Sequence, residues 1–301
     1  MLHTVAGSGV DAARHARNAS VHQLTARLAL RFEVAGGRTR VRVLQQDPPW
    51  KIVRAFPCAG GGALVHLHNV SGGVLAGDCL SLDIDVAPRA RVQLTTTGAT
   101  RLYRHQPGAK ESEQTITIQV GEDGLLEYLP DPLIPFAGAR HTQRIQISLA
   151  PGATLFGWET LAPGRQAMGE QFAFDRLRIE SCVRADGRLA LSENILLDPS
   201  RRPLPVTARM GTHTHLATFC ALCAGASESL WRDLEESLNQ VAAGNTHSGA
   251  IWGTSTLASD GVIARGLGGS GRNFRAALFE LWRTAKSRVT GEEAVPPRKV
   301  Y

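Results

Sequence analysis

The sequence predicts a mainly β protein with two α-helices in its C-terminal third. Three observations lead to this prediction: apolar and polar residues alternate repeatedly, the gaps are rich in turn formers, and helical periodicity occurs in only two segments. The chain of 301 residues contains 31 Gly and 15 Pro, which favour turns between short strands over a helical bundle. With 43% hydrophobic and 20% charged residues it can bury a large core, which argues against disorder and coiled coil.

The first two strands form a predicted hairpin. From residue 24 to residue 34 the even-numbered positions are apolar and most odd-numbered ones are polar, which is typical of a half-buried strand. Residues 35–37, Ala-Gly-Gly, then turn the chain into a second strand that carries Arg38, Arg40 and Arg42 on one face. We expect a hairpin with one solvated, basic face.

The same alternation recurs along the chain. Because the intervening gaps are short and contain Gly, Pro or Asp, we expect antiparallel meanders within stacked antiparallel or mixed sheets. The segments that predict these strands are 80–86, 92–94, 116–120, 145–149, 172–179, 188–191, 213–222 and 262–265.

Two segments have the period of an amphipathic helix. Ser227 is the predicted N-cap of the first helix and Asn273 that of the second, which should end before Gly291. The residues predicted to face the core are Leu230, Leu234, Leu238 and Val241 in the first helix, and Phe274, Leu278, Leu281, Trp282 and Ala285 in the second.

No Pro- or Ser-rich linker separates the strands from the helices. We therefore predict a single β-rich domain over residues 23–301, preceded by a flexible N-terminal extension over residues 1–22. The extension lacks the pattern of a secretory signal, and no stretch is apolar enough to span a membrane. The five Cys form an odd number that fits a reducing compartment, so the predicted location is cytoplasmic.

The charge balance is mildly basic, with 33 Lys and Arg against 27 Asp and Glu, or a net charge of +6. Basic residues are interspersed with acidic ones, and no nucleic-acid-binding motif accompanies them. We expect no nucleic-acid partner and interpret the excess as a surface for acidic protein partners.

Residues 266–271 fit the dinucleotide-binding pattern G-x-G-x-x-G between a predicted strand and the last helix. A Rossmann unit also needs a parallel strand after that helix, whereas here a Pro-rich tail follows. We interpret the segment as a Gly-rich connection.

Two His pairs have the spacing of a bidentate metal site. His66 with His68, and His213 with His215, lie two residues apart in predicted strands, which places each pair on one face. Imidazole pairs suit Ni²⁺, Zn²⁺ or Cu²⁺, and a metal-dependent hydrolase using them is the alternative function. Without Asp or Cys at chelating distance the sites would be incomplete, and solvent-facing or hydrogen-bonded His is the ordinary interpretation.

Four segments carry motifs that occur together in one protein family. Residues 71–78, SGGVLAGD, resemble a GG-x-x-x-GD element, and residues 95–104, TTTGATRLYR, resemble TT-Q-x-x-x-K-x-Y-R. Residues 126–136, LEYLPDPLIPF, resemble LE-Y/W-LP-x-P-x-IPF. The WE, GR and GE positions of the family are matched by Trp158-Glu159, Gly164-Arg165 and Met168-Gly169-Glu170. In this order the motifs resemble the urease accessory protein UreD family, also called UreH.

The sequence departs from that family at three motif positions. Thr97 stands where the family has Gln, Arg101 where it has Lys, and Tyr301 where it has a final Trp. These departures affect individual contacts, whereas the motifs together extend over nearly the whole chain from about residue 24.

The resemblance implies a non-enzymatic chaperone built as a β-helicoid-like scaffold with helices. Such a protein would join UreF and the GTPase UreG on the urease apoprotein and help deliver Ni²⁺ to the urease active site. No tightly bound cofactor is expected, only transient Ni²⁺, and a homodimer within the accessory complex is compatible with this role. The surface that binds these partners is not identified by the sequence.

Four acidic residues lie in otherwise apolar or Gly-rich motif segments, namely Asp78, Glu127, Glu159 and Glu170. A dication crossing the protein would need a polar passage, because an apolar core imposes a steep desolvation cost. These acids are the candidates for lining it. The competing interpretation is a buried carboxylate that accepts backbone N–H bonds and fixes a loop.

Overall fold

The structure, a computed structural model, describes residues 23–245 and 249–297. The predicted flexible extension, residues 1–22, lies outside the described residues and stays a prediction. The strands are β1 (Thr25–Ala35), β2 (Arg38–Gln46), β3 (Trp50–Lys51), β4 (Ala55–Pro57), β5 (Ala63–Asn69), β6 (Cys79–Val86), β7 (Arg91–Thr96), β8 (Thr100–Leu102), β9 (Ser112–Val120), β10 (Leu125–Tyr128), β11 (Leu133–Pro135), β12 (Arg140–Leu149), β13 (Thr154–Leu161), β14 (Arg176–Ala185), β15 (Arg188–Leu197), β16 (His215–Cys223), β17 (Ala250–Thr256) and β18 (Gly261–Gly268). The helices are α1 (Glu228–Asn245) and α2 (Gly271–Thr290).

These strands form two sheets. Sheet 1 has the order β15-β14-β12-β9-β6-β1-β2, and its strands from β14 to β1 run parallel to one another. Sheet 2 follows the order β17-β18-β16-β13-β10-β7-β5-β3, with β13, β10, β7 and β5 parallel. The fold class, mainly β in stacked mixed sheets with two C-terminal helices, is confirmed.

The expectation of antiparallel meanders is wrong for the middle of the chain. From β5 to β14 the main strands alternate between the two sheets, and each one from β7 onward pairs in parallel with the previous main strand of its own sheet. The short strands β8 and β11 pair with each other instead. Parallel neighbours need a long crossover, and a strand of the opposite sheet supplies it here in place of a helix. Antiparallel pairing occurs toward the ends of the chain, including the predicted β1–β2 hairpin.

Two hydrophobic cores lie on the two faces of sheet 2. The inner core fills the space between the sheets and includes Leu82, Ile116 and Leu155. The helix-side core lies between sheet 2 and the two helices and includes Phe156 and Trp282. Sheet 2 is therefore buried on both faces over much of its area.

The predicted buried stripes of both helices contact the helix-side core. Ser227 caps α1 as predicted, because the Leu230 N–H donates a hydrogen bond to the Ser227 Oγ at 3.4 Å. Asn273 as the cap of α2 is wrong: the helix begins at Gly271, after Ser270 in an extended conformation. No described strand follows α2, which agrees with interpreting residues 266–271 as a connection.

Two strand boundaries also differ from the prediction. β14 begins only at Arg176, because Phe172 has a positive φ of 53° that interrupts an extended chain. β16 begins at His215, because the chain turns through Gly211 with φ 55° just before it.

Neither helix of the described residues combines the length and apolar content that crossing a membrane requires.

Gly291 ends α2 in the left-handed conformation, with φ 70°. Replacing Gly291 with Ala should lower the free energy of unfolding by about 1 kcal/mol, because a Cβ disfavours this conformation. Urea unfolding followed by circular dichroism measures the change. The matched control is Gly244→Ala inside α1, where the Cβ meets nothing within 4 Å and Ala should raise stability by about 0.5 kcal/mol. A stabilising Gly291→Ala would contradict this account of the helix end.

Candidate functional site

Glu159 points into the space between the two sheets. Along β13, Leu155 and Leu161 contact the inner core, and Phe156 contacts the helix-side core, so the alternation places Glu159 inward. Its carboxylate accepts a hydrogen bond from the Gln143 Nε2, and another from the Ser181 Oγ at 3.1 Å. Both donors belong to sheet 1, so this carboxylate joins the two sheets.

The surroundings of Glu159 make it easy to protonate. Burial raises the pKa of Glu159 to about 7, and the nearby negative charge of Glu193 adds to the increase, while the bonds from Ser181 and Gln143 oppose it. Near neutral pH the side chain can therefore be either charged or neutral.

Glu159 borders two cavities. The larger has a volume of about 240 Å³ and is called the outer cavity. It lies at the ends of β5, β7 and β10, and its wall includes Gln114 and Gln143 of sheet 1. The smaller, of about 40 Å³, is lined by Glu159 together with Ser181, Glu193 and Cys220. Since Glu159 lines both cavities, its carboxylate lies between the outer cavity and the smaller cavity.

Glu127 lies on the opposite face of sheet 2, in contact with α2. It is 4% exposed, its Oε1 is 2.8 Å from the Lys286 Nζ, and its Oε2 accepts a 2.8 Å hydrogen bond from the Gln93 Nε2. The pair borders a separate cavity of about 310 Å³ that also contains Cys58. Burial, with a smaller contribution from Glu127, raises the pKa of the Cys58 thiol to about 11, so it stays protonated at neutral pH.

Asp78 stabilises a turn. It is 2% exposed, and its Oδ2 accepts a hydrogen bond from the Leu75 N–H at 2.8 Å. Burial raises the pKa of Asp78, and this backbone bond opposes the increase. These contacts match the loop-fixing interpretation.

Glu170 joins two loops. Its carboxylate is hydrogen-bonded by the Arg165 guanidinium and accepts the Ala137 N–H at 3.1 Å. The bond from Arg165 is the main cause that lowers the pKa of Glu170. The same guanidinium lies 4.3 Å from the centre of the Phe136 ring, so Glu170 and Arg165 together hold their loop against the Phe136 turn.

The four candidate acids thus occupy four different environments. Among the described residues, no three His, Cys, Asp or Glu side chains form a group that could hold a metal ion. Their assignment to a nickel passage stays a prediction, for which Glu159 has the most suitable surroundings.

Residues 24–301 match the family model described as UreD urease accessory protein. The chain belongs to the UreD family. The urease accessory protein UreD of Herpetosiphon aurantiacus is 42% identical over 275 residues, which cover 91% of this chain and 96% of that relative. UreD proteins of Pseudomonas putida and Pseudomonas paraeruginosa are 32% and 33% identical over 274 residues, covering 91% of this chain and 93% of each relative.

The UreD motifs, far apart in sequence, meet at the outer cavity beside Glu159. The parallel strands β5, β7 and β10 all end at the same edge of sheet 2, and a motif segment follows or overlaps each end. The cavity wall contains residues of all four motif segments, namely Gly72, Gly73 and Val74, then Thr96 to Arg101, then Tyr128, Pro130, Asp131 and Leu133, and finally Glu159.

Direct contacts hold these motif segments together. The Asp131 N–H donates a hydrogen bond to the Thr96 Oγ1 at 2.8 Å, and the Thr96 hydroxyl donates to the Asp131 Oδ2 at 3.0 Å. A Cβ at Gly73 would lie 2.5 Å from the Arg101 carbonyl oxygen and 2.6 Å from the Tyr103 ring, so only Gly fits there. The motif residues therefore build the cavity wall by close packing.

The first His pair lies in a strand as predicted, whereas the second pair is only partly in one. His66 lies in β5, is 5% exposed and packs edge-on against Phe56 with ring centres 5.6 Å apart. Burial, and then the neighbouring His66, lower the pKa of His68. Placing His213 in a strand is wrong, because it lies in the turn before β16 with its Nδ1 3.2 Å from the Met210 carbonyl oxygen. The His215 Nδ1 lies 2.9 Å from the Thr214 Oγ1.

Several polar residues of this region were not singled out from the sequence. Gln143 shares a strand face with Ile145 and Ile147, and Gln114 shares one with Ile116 and Ile118. A long polar residue at a core-facing position of an alternating strand indicates a polar group inside the protein, and this pattern could have identified both residues. Lys286 gave a similar signal within the buried stripe of α2.

Breaking the Glu127–Lys286 pair should destabilise the protein. In Lys286→Met the Glu127 carboxylate would remain buried without its cation, so we expect the free energy of unfolding to fall by about 3–5 kcal/mol. The double variant Glu127→Gln with Lys286→Met should recover most of the loss. Urea unfolding gives both values.

The control for this experiment is the more exposed pair between Arg91 and Glu292. Glu292→Gln should cost about 1 kcal/mol or less, since solvent screens a partly exposed pair. Equal losses in Lys286→Met and Glu292→Gln would contradict the importance of burial.

The raised pKa of Glu159 predicts a pH-dependent effect of Glu159→Gln on stability. Well below pH 4.5 the carboxyl is neutral in both the folded and unfolded states, whereas above pH 7 the folded protein contains a partly buried charge. Relative to the wild type, Glu159→Gln should gain about 2–3 kcal/mol of unfolding free energy between pH 4.5 and pH 8. Urea unfolding of both proteins at several pH values measures this difference. A constant difference for Glu159→Gln would show that its pKa is not raised.

Proposed function

We propose that this protein assists the incorporation of nickel into the urease active site, in a complex with UreF and UreG on the urease apoprotein. The observation that supports it most is the meeting of the UreD motif segments at one polar cavity that leads to Glu159. Membership of the UreD family is the second support, because the relatives carry the name urease accessory protein.

We propose that Glu159 binds the nickel ion transiently during its passage. A carboxylate with a pKa of about 7 can release its proton to bind a cation and take a proton back when the cation leaves. Gln143 and Ser181 hold the carboxylate between the two cavities it borders. The polar wall offers oxygen ligands in place of part of the hydration shell, which lowers the desolvation cost of entering the protein.

The other three candidate acids would have supporting roles in this proposal. Glu127 is held by Lys286, so a cation in that cavity would compete with an ammonium group already present. Asp78 and Glu170 each accept a backbone hydrogen bond, which fixes the loops on which the motif residues lie.

The proposed role is that of a chaperone in the cytoplasm, with no catalytic step of its own and with nickel as a transient cargo. All five cysteines are free, which supports a reducing compartment. A homodimer within the accessory complex belongs to the same proposal, and neither nucleic acid nor a membrane is among the proposed partners.

The alternative, a metal-dependent hydrolase using the His pairs, has less support. His66 is buried against an aromatic ring, and His213 and His215 each have a partner close to them in sequence. None of these four His belongs to a group of three metal-binding side chains in the described part of the chain.

Glu159→Gln tests the proposed function. The change keeps the size of the side chain and removes the charge, so nickel bound to urease co-expressed with the accessory proteins should fall by about tenfold. Nickel is measured by atomic absorption on purified urease, and pull-down of UreF, UreG and urease checks that the complex still forms.

Glu113→Gln is the matched control, because that carboxylate lies on the exposed outer face of sheet 1. It should leave urease nickel unchanged. Full nickel loading with Glu159→Gln in an intact complex would rule out Glu159 as a passage residue.

A further inference from the structure

A groove lies on the helix-covered face of sheet 2, between the first half of α2 and residues 129–132. Its volume is about 430 Å³, larger than that of the outer cavity beside Glu159. The large apolar side chains of its wall are Leu129, Trp158, Leu161, Phe274, Leu278 and Phe279. Such a wall can bury a leucine or an aromatic side chain of another molecule.

The charged side chains that line this groove are mainly basic. Arg272 and Arg275 of α2 line it and are exposed, and neither forms an ion pair with a described carboxylate. The Arg275 guanidinium lies 5.4 Å from the centre of the Phe279 ring, directly beside the apolar wall. The acidic residue that lines the groove, Asp131, is already hydrogen-bonded to Thr96. No carboxylate in the described part of the chain therefore engages these two guanidinium groups.

We propose that this groove binds an acidic segment of a partner protein that carries a large apolar side chain. The apolar side chain would enter the groove, and neighbouring carboxylates would pair with Arg272 and Arg275. A second copy of this chain is a poorer match, because its net charge is +6. A nucleic acid would satisfy the guanidinium groups and leave the apolar wall partly uncovered.

Docking at the groove does not require nickel to cross the protein. Loss of peptide binding and loss of nickel passage through Glu159 are therefore separate results, and either can fail alone.

The experiment uses a fluorescein-labelled peptide, Glu-Glu-Leu-Phe-Glu-Glu, titrated with the full-length protein and followed by fluorescence anisotropy. Two further peptides test the two halves of the recognition: one replaces every Glu with Gln, and the other replaces Leu-Phe with Ala-Ala. Both should bind at least about tenfold more weakly than the parent peptide.

The double reversal Arg272→Glu with Arg275→Glu should weaken binding of the parent peptide at least about tenfold. Arg283→Glu is the matched control, since Arg283 is exposed on the same helix and lies outside the groove wall. It should bind the peptide like the wild type, and circular dichroism should show the same secondary structure for all three proteins.

Three results would overturn the proposal. The first is equal binding of the parent peptide by the wild type and the double reversal. The second is tighter binding of a single-stranded oligonucleotide than of the peptide, abolished by the same reversal. The third is a dimer in sedimentation equilibrium that the reversal dissociates, which would assign the groove to a second copy.

Discussion

Burial of sheet 2 on both faces is the constraint on which the rest of this structure depends. Polar groups inside the protein need partners, and those of sheet 2 find them in the layers on either side. On the inner face Glu159 is bonded from sheet 1 through Gln143 and Ser181, and on the other face Glu127 is paired with Lys286 of α2. Two carboxylates on neighbouring strands thereby connect three layers, and each sits next to a cavity where a charged side chain can act.

Consecutive main strands alternate between the two sheets, and this topology explains where the family motifs lie. Parallel strands end at a common edge, so segments that follow β5, β7 and β10 are brought together although many residues separate them. An antiparallel meander would have put successive turns at opposite ends. The outer cavity is therefore a product of the topology, and its wall depends on close contacts such as that of Gly73 with the Tyr103 ring.

The sequence predicted most of the strands that have one exposed face and the two helices, because alternation and helical period indicate burial on one side. It missed β17, although burial alternates along that strand. It did not single out β10 and β13, whose residues are mostly buried on both faces and have no alternation to detect. Periodicity also says nothing about which strand lies next to which, so parallel pairing was missed. At the site, the acids could be named from their motifs, whereas Lys286 is contributed by a helix 159 positions after Glu127 and only the fold brings the two together.

The alternation of the chain between the two sheets also constrains how the protein folds. Apart from the short strands β8 and β11, each new strand from β6 to β14 extends one sheet only after the chain has added a strand to the other, so both sheets grow together and neither is a separable unit. Pairing over such long sequence separations makes folding slow, because chain entropy is lost before the contacts form. Until the late antiparallel strands and the two helices arrive, sheet 2 would expose an apolar face and an open edge, a state prone to aggregation. Folding of this scaffold therefore completes only with the C-terminal third of the chain.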